Sequence, residues 1–122
     1  MSSRSLVSVV DDDESVRESL PDLLRELGYE ARAFPSAEDF LASDCVMETE
    51  CLVLDITMPG MSGPELQQEL IRRGQTIPIV FITGRRDEEQ RLRLIKQGAV
   101  ECLFKPFGDK AVIAALNSAL GK

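Results

Sequence analysis

The sequence predicts an α/β fold: a doubly wound, parallel five-stranded sheet built as (βα)5. Three observations carry it. Short apolar runs alternate strictly with helical patterns along the chain, the runs are continuous and rich in β-branched residues, and polar residues gather where the runs end. The runs are 6–10, 30–33 (weak), 51–54, 77–82 and 101–104. Unbroken stretches such as Ile79-Val80-Phe81-Ile82 suit strands covered on both faces, as in a parallel sheet. The first helix is expected over 14–27, with Val16, Leu20, Leu23, Leu24 and Leu27 on one face and Gly28 as its stop. Pro21 lies inside it, removes one backbone hydrogen bond, and is expected to kink or loosen the helix. A short capped helix follows at 36–42, opened by Ser36 and the pair Glu38-Asp39. The next, 63–73, turns Leu66, Leu70 and Ile71 inward and ends at Gly74. The helix at 87–97 is heavily charged, with Leu92, Leu94 and Ile95 as its apolar residues. The last, 109–120, spaces Val112, Ile113, Leu116 and Leu120 helically.

Five such units imply right-handed crossovers, helices on both faces and the strand order 2-1-3-4-5. At 122 residues the chain fits one domain, placed at 5–121, with 1–4 and 121–122 expected as frayed termini. No stretch approaches the roughly 18 apolar residues of a membrane span, and no signal-peptide pattern opens the chain, so a cytoplasmic protein is expected. Cys45, Cys51 and Cys102 lack C-x-x-C spacing and read as ordinary thiols in a reducing compartment. The net charge of −7 is a poor match for a nucleic-acid backbone. There is no histidine, which excludes Ser-His-Asp and Cys-His catalysis and any phosphohistidine carried by this chain itself.

In a doubly wound sheet, ligands bind at the carboxyl ends of the strands. Those ends here carry Asp11-Asp12-Asp13, Asp55, Thr83-Gly84 and Lys105-Pro106. Two carboxylates ~4 Å apart repel by about 4 kcal/mol at an effective dielectric near 20. A hard divalent cation removes that cost, and an oxygen-only donor set selects Mg²⁺, Mn²⁺ or Ca²⁺. Taken singly, each residue has an ordinary explanation: Asp13 as a helix cap, Lys105 as a solvated lysine, Thr83 as a strand-end threonine. Their convergence on one rim does not.

The segments Val9-Val10-Asp11-Asp12-Asp13, Leu54-Asp55-Ile56-Thr57-Met58-Pro59-Gly60, Ile82-Thr83-Gly84 and Lys105-Pro106-Phe107 resemble those of response-regulator receivers, the CheY-like branch of the flavodoxin-like fold. The similarity runs from about Leu6 to Leu120. The stretches Asp13-Glu14-Ser15-Val16-Arg17-Glu18-Ser19-Leu20 and Ser36-Ala37-Glu38-Asp39-Phe40-Leu41 look like receivers of the FixJ type, in the NarL/LuxR class. Such receivers usually precede a helix-turn-helix output domain, which this chain does not contain.

The resemblance implies a phosphoacceptor of a two-component system: Asp55 takes a phosphoryl group from a sensor histidine kinase. Asp11, Asp12 and Asp55, with the carbonyl of Thr57, would hold Mg²⁺; Lys105 and Thr83 would attend the phosphoryl group. It implies a cis Lys105–Pro106 bond, self-catalysed phosphotransfer with slow hydrolysis, and a signalling switch in place of a turnover enzyme. It further implies a homodimer on phosphorylation through the fourth helix, fifth strand and fifth helix, with DNA reached only through an output domain. Thr57 and Arg85 resemble positions that tune autodephosphorylation, though Arg85 reads equally as part of a solvated cluster with Arg86 and Asp87. One departure stands out. Receivers usually carry a switching aromatic residue three before the lysine, where this chain has Cys102, and Phe104 is taken to have the wrong parity to replace it. The mobile element is then expected to be the charge-rich helix at 87–97.

Three other readings are weaker. A haloacid-dehalogenase-type phosphohydrolase needs a second aspartate two after the nucleophile, where this chain has Thr57. A flavodoxin-like flavin carrier wants a Ser/Thr/Gly-rich phosphate loop where this chain has three aspartates. A pseudo-receiver that binds partners without phosphorylation has only Cys102 in its favour.

Overall fold

Three of the five strands are almost wholly buried, because helices whose own apolar stripes require a sheet cover both of its faces. The computed structural model describes residues 4–121. In chain order the elements are β1 (Leu6–Val10), α1 (Glu14–Glu26), β2 (Glu30–Phe34), α2 (Ala37–Ala42), β3 (Thr49–Asp55), α3 (Gly63–Arg72), β4 (Ile79–Thr83), α4 (Glu88–Lys96), β5 (Glu101–Phe104) and α5 (Asp109–Leu120). All pairings are parallel, in the order β2-β1-β3-β4-β5. The predicted architecture is therefore the observed one. Of the termini expected to fray, 1–4 and 121–122, residues 1–3 and 122 lie outside the described residues, while Gly121 caps α5 in the left-handed conformation, φ 72°.

The sheet divides the core in two. On one face Phe40, Leu66, Leu70 and Leu94, from α2, α3 and α4, pack against Leu52, Leu54 and Phe81. On the other, Leu20, Leu24, Val112, Ala115 and Leu116, from α1 and α5, pack against Val7, Val9, Val53 and Ile82. Neighbouring residues within β1, β3 and β4 thus serve opposite cores, which is why these runs do not alternate with polar residues.

Several details differ from the expectations. β3 begins at Thr49, two residues before the apolar run, because its hydroxyl is buried between the Ser8 hydroxyl and the Cys45 carbonyl, both at 2.7 Å. Ile71 is 56% exposed, since only Leu66 and Leu70 of that set reach the sheet; Leu27 is exposed too, as the residue that caps α1 after its last turn. α1 runs unbroken through Pro21, which is itself buried. The parity assigned to Phe104 is corrected: two residues apart on a strand means one face, and Phe104 packs against the same core as Cys102, while Leu103 joins the opposite one. All three cysteines are free and buried, as expected, and burial raises the Cys51 thiol to about 12 and that of Cys102 to about 11.

Candidate functional site

Parallel strands end on one edge, so the residue following each run is delivered to a common rim. β1 hands over Asp11 and Asp12, β3 ends in Asp55, β4 ends in Thr83, and Lys105 follows β5. Carboxylate oxygens of Asp11, Asp12 and Asp55 all lie within 4.8 Å of one another. Asp11 is wholly buried, Asp55 is 6% exposed, and Asp12 is open to solvent. The cluster thus has a dry floor and a wet lip.

Local bonds fix each member. The Asp11 N–H donates to the Phe34 carbonyl at 3.1 Å, and Arg17 of α1 donates to the Asp11 carbonyl at 3.0 Å. The Asp13 N–H donates to Asp11 Oδ1 at 2.9 Å, while Asp13 itself caps α1 by accepting from the Ser15 N–H. The Ile56 N–H bonds the Ile82 carbonyl at 3.1 Å, locking the end of β3 to β4. Gly63 is obligatory: a Cβ there would overlap the Asp55 carbonyl oxygen, so only glycine lets α3 start against the strand end. At Gly84, by contrast, an added Cβ meets no protein atom within 4 Å, so the space beside that residue is open.

Lys105 Nζ lies 2.9 Å from Asp11 Oδ2 and 4.0 Å from Asp55 Oδ2. The Lys105–Pro106 peptide is cis, as the resemblance implies, and the Lys105 N–H bonds the Thr83 carbonyl at 2.7 Å. Burial opposes the charge on Lys105, but the hydrogen bond and charge of Asp11, with the charge of Asp55, outweigh it and hold the ammonium above its usual range. Asp55 moves the other way from a normal carboxylate. Burial, followed by the charge of Asp11, pushes it up to about 7, and Lys105 offsets this only in part.

Of the other residues expected at the site, Thr83 is buried at the rim and its hydroxyl accepts from the Arg85 N–H at 3.1 Å. Thr57 is exposed in the loop beyond Asp55. The Arg85 side chain is exposed beside Arg86, and Arg86 stacks 5.5 Å above the Phe104 ring. Cys102 is not at the rim: it sits in the core on the side of α2, α3 and α4. Two contacts to the site had no signal in the sequence. Arg17 reads as one more charge on the first helix, and Glu38, from α2, accepts a hydrogen bond from the Met61 N–H in the loop after Asp55.

Fold and rim together define a doubly wound α/β domain with an acidic site at the carboxyl ends of its strands, and comparison with known proteins gives its family. Residues 7–117 match the family model "Response regulator receiver domain". The chain is 46% identical over 118 residues to nodulation protein W of Bradyrhizobium diazoefficiens, covering 97% of this chain and 52% of that protein. It is 41% identical over 116 residues to the transcriptional regulatory protein FixJ of Azorhizobium caulinodans, covering 95% of this chain and 55% of that one. The crystal structure of FixJ-N superposes with a TM-score of 0.84 at 37% identity, covering 99% of this chain and 96% of the other. The chain belongs to the response-regulator receiver family and resembles its FixJ-type members. It is a two-component receiver, a signalling switch in place of a turnover enzyme, and membership implies a cognate histidine kinase. It spans about half the length of the curated relatives it matches. Among the described residues no helix is long and apolar enough to cross a membrane.

Proposed function

We propose that Asp55 is the phosphoacceptor, within a receiver domain spanning 5–121. The supporting observation is a buried carboxylate facing two others within 4.8 Å and a lysine at 4.0 Å. A carboxylate oxygen of Asp55 attacks the phosphorus of a kinase phosphohistidine; the P–N bond breaks, imidazole leaves, and an acyl phosphate forms. Water later attacks that phosphorus, releasing inorganic phosphate and restoring the carboxylate. Protein groups contribute by position and charge. Lys105 moves from its pairing with Asp11 toward the new phosphoryl oxygens, and the Thr83 hydroxyl, now bonded to the Arg85 N–H, turns to donate to one of them.

The donor set fits a hard cation: three carboxylates, without sulfur or nitrogen, whose oxygens lie within 4.8 Å of one another. Asp11, Asp12, Asp55 and the Thr57 carbonyl would hold Mg²⁺, or Mn²⁺ or Ca²⁺ in its place. Bound there, the ion would neutralise the clustered carboxylates and the incoming phosphoryl charge. Thr57 and Arg85, exposed in the loops that follow Asp55 and Thr83, regulate water access to the acceptor. The protein works in the cytoplasm, pairs with itself through α4, β5 and α5 when phosphorylated, and reaches DNA through an output domain joined to or recruited by it.

The test is intact mass after incubation with Mg²⁺ and acetyl phosphate, followed by a phosphorylated histidine kinase as donor. One phosphoryl group gained, and lost in Asp55→Ala and in EDTA, is the expected result. No gain from either donor would leave a pseudo-receiver and sink the proposal.

A further inference from the structure

The loop between Asp55 and α3 carries Thr57; Met58 is buried in the core, while Thr57, Pro59 and Gly60 face solvent. Its two ends are secured locally. Ile56 bonds β4 and Gly63, and Ser62 and Glu65 exchange hydrogen bonds in a reciprocal cap on α3. The crest is tied from outside its own βα unit by Glu38, whose Oε2 accepts from the Met61 N–H at 3.0 Å. Gly60 is shaped to this carboxylate. Its φ is +76°, and a Cβ built on it would lie 2.7 Å from the same oxygen, so a side chain would displace Glu38. α2 has no need of Glu38 for its own start, since Ser36 caps the helix by accepting from the Asp39 N–H at 3.0 Å. Nor, among the described residues, does Glu38 form an ion pair.

We infer that Glu38 is a positioning residue for the acidic site, holding the loop crest and with it the Thr57 carbonyl that would join the carboxylates as a ligand. This rests on the reading of Asp11, Asp12 and Asp55 as a Mg²⁺ site. Groups that orient ligands from outside the coordination shell commonly change metal affinity on removal without touching the ion. Glu38 acts here through an accepted hydrogen bond, a task a neutral amide oxygen also performs.

The experiment is a Mg²⁺ titration of the unphosphorylated protein followed by ¹⁵N NMR, for wild type, Glu38→Ala and Glu38→Gln. Melting in EDTA and hydrogen exchange at the Met61 amide are recorded beside it. Glu38→Ala is expected to weaken Mg²⁺ binding about tenfold, the low end for loss of an orienting partner. It should also speed Met61 exchange while leaving metal-free melting in place, as for other exposed residues. Glu38→Gln keeps the acceptor and stays near wild type in both affinity and exchange. An unchanged affinity in Glu38→Ala overturns the inference. So does a Glu38→Gln as weak as the alanine variant, because Glu38 would then act by its charge alone. Failure of the wild type to bind Mg²⁺ overturns the metal reading itself, and is told apart because no variant comparison then exists.

Discussion

Asp55 stands in surroundings that resist its charge. Its ordinary value of 3.8 rises to about 7, first through burial and then through the charge of Asp11. In the metal-free protein the folded state therefore holds a proton between those values that the unfolded chain has lost. The contribution of Asp55 to stability therefore falls as pH rises through that window, the reverse of ordinary acid denaturation. Thermal melting in EDTA from pH 4 to pH 8 checks this: melting temperature should decline toward neutral pH from this residue. Asp55→Asn should flatten the decline and melt above wild type at pH 8. Saturating Mg²⁺ should raise the wild-type melting temperature more at pH 8 than at pH 5, because the cation binds the ionised cluster. A wild-type protein that grows steadily more stable up to pH 8 without metal, with Asp55→Asn following the same slope, would remove the account. Lys105 adds a second constraint at this scale. Its shorter contact is with Asp11, 2.9 Å against 4.0 Å to Asp55, so it neutralises the buried floor and leaves Asp55 the less compensated carboxylate.

α4 is the element least committed to the core. Leu94 is its one buried residue, Leu92 is 56% exposed, and the rest of the helix is chiefly charge. It is held to β5 by Arg91, which bonds Glu101 at 2.8 Å and Glu88 at 3.0 Å while Glu101 also accepts from the Cys102 N–H. These ion pairs are partly solvated, so Arg91→Ala should cost no more than about 1 kcal/mol in denaturant unfolding. Leu94→Ala, by contrast, should cost about 2–5 kcal/mol. Hydrogen exchange over 87–97 should nonetheless quicken in Arg91→Ala and change on phosphorylation of the wild type; unaltered exchange in both would exclude α4 as the mobile element. The elements also show what sequence could and could not disclose. β1, β5 and α5 were legible to the residue because two sharp apolar runs and one helical spacing of apolar residues mark them. β2, with Glu30 and Arg32 exposed on an edge, was legible only weakly. The acidic rim was legible because parallel strands must end together. The Glu38 tether was not, since nothing local distinguishes it from Asp39: its meaning lies in a hydrogen bond to a residue in another βα unit. Phe104 was misjudged through its periodicity, and the correction matters, since an aromatic ring does stand on the face of Cys102, under Arg86 of the loop that follows Thr83.

For the whole molecule, a sheet with two edges poses the problem of what leaves β5 unpaired yet stable. The outer side of β5 presents free backbone, and one of its N–H groups, on Cys102, is satisfied by the Glu101 carboxylate instead of a neighbouring strand. Beside that edge, α4 offers Leu92 to solvent amid Glu88, Arg91 and Lys96. Such a face, an exposed leucine ringed by both signs of charge, suits a self-complementary interface. It is also the face moved if Thr83 and its loop shift when Asp55 is phosphorylated. A core divided by a rigid sheet supports this, because the acidic rim and the α4–β5 face are joined by β4 and its loop while α1 and α5 pack on the other side. Sedimentation should then find a monomer without phosphodonor and a dimer with Mg²⁺ and acetyl phosphate. Leu92→Asp should remain a monomer although its mass shows the same phosphoryl gain as wild type, and Ile71→Asp, an equally exposed residue on α3, should dimerise normally. A dimer that persists in Leu92→Asp but fails in Ile71→Asp would move the interface to α3, and with it the direction in which the phosphorylation signal leaves the rim.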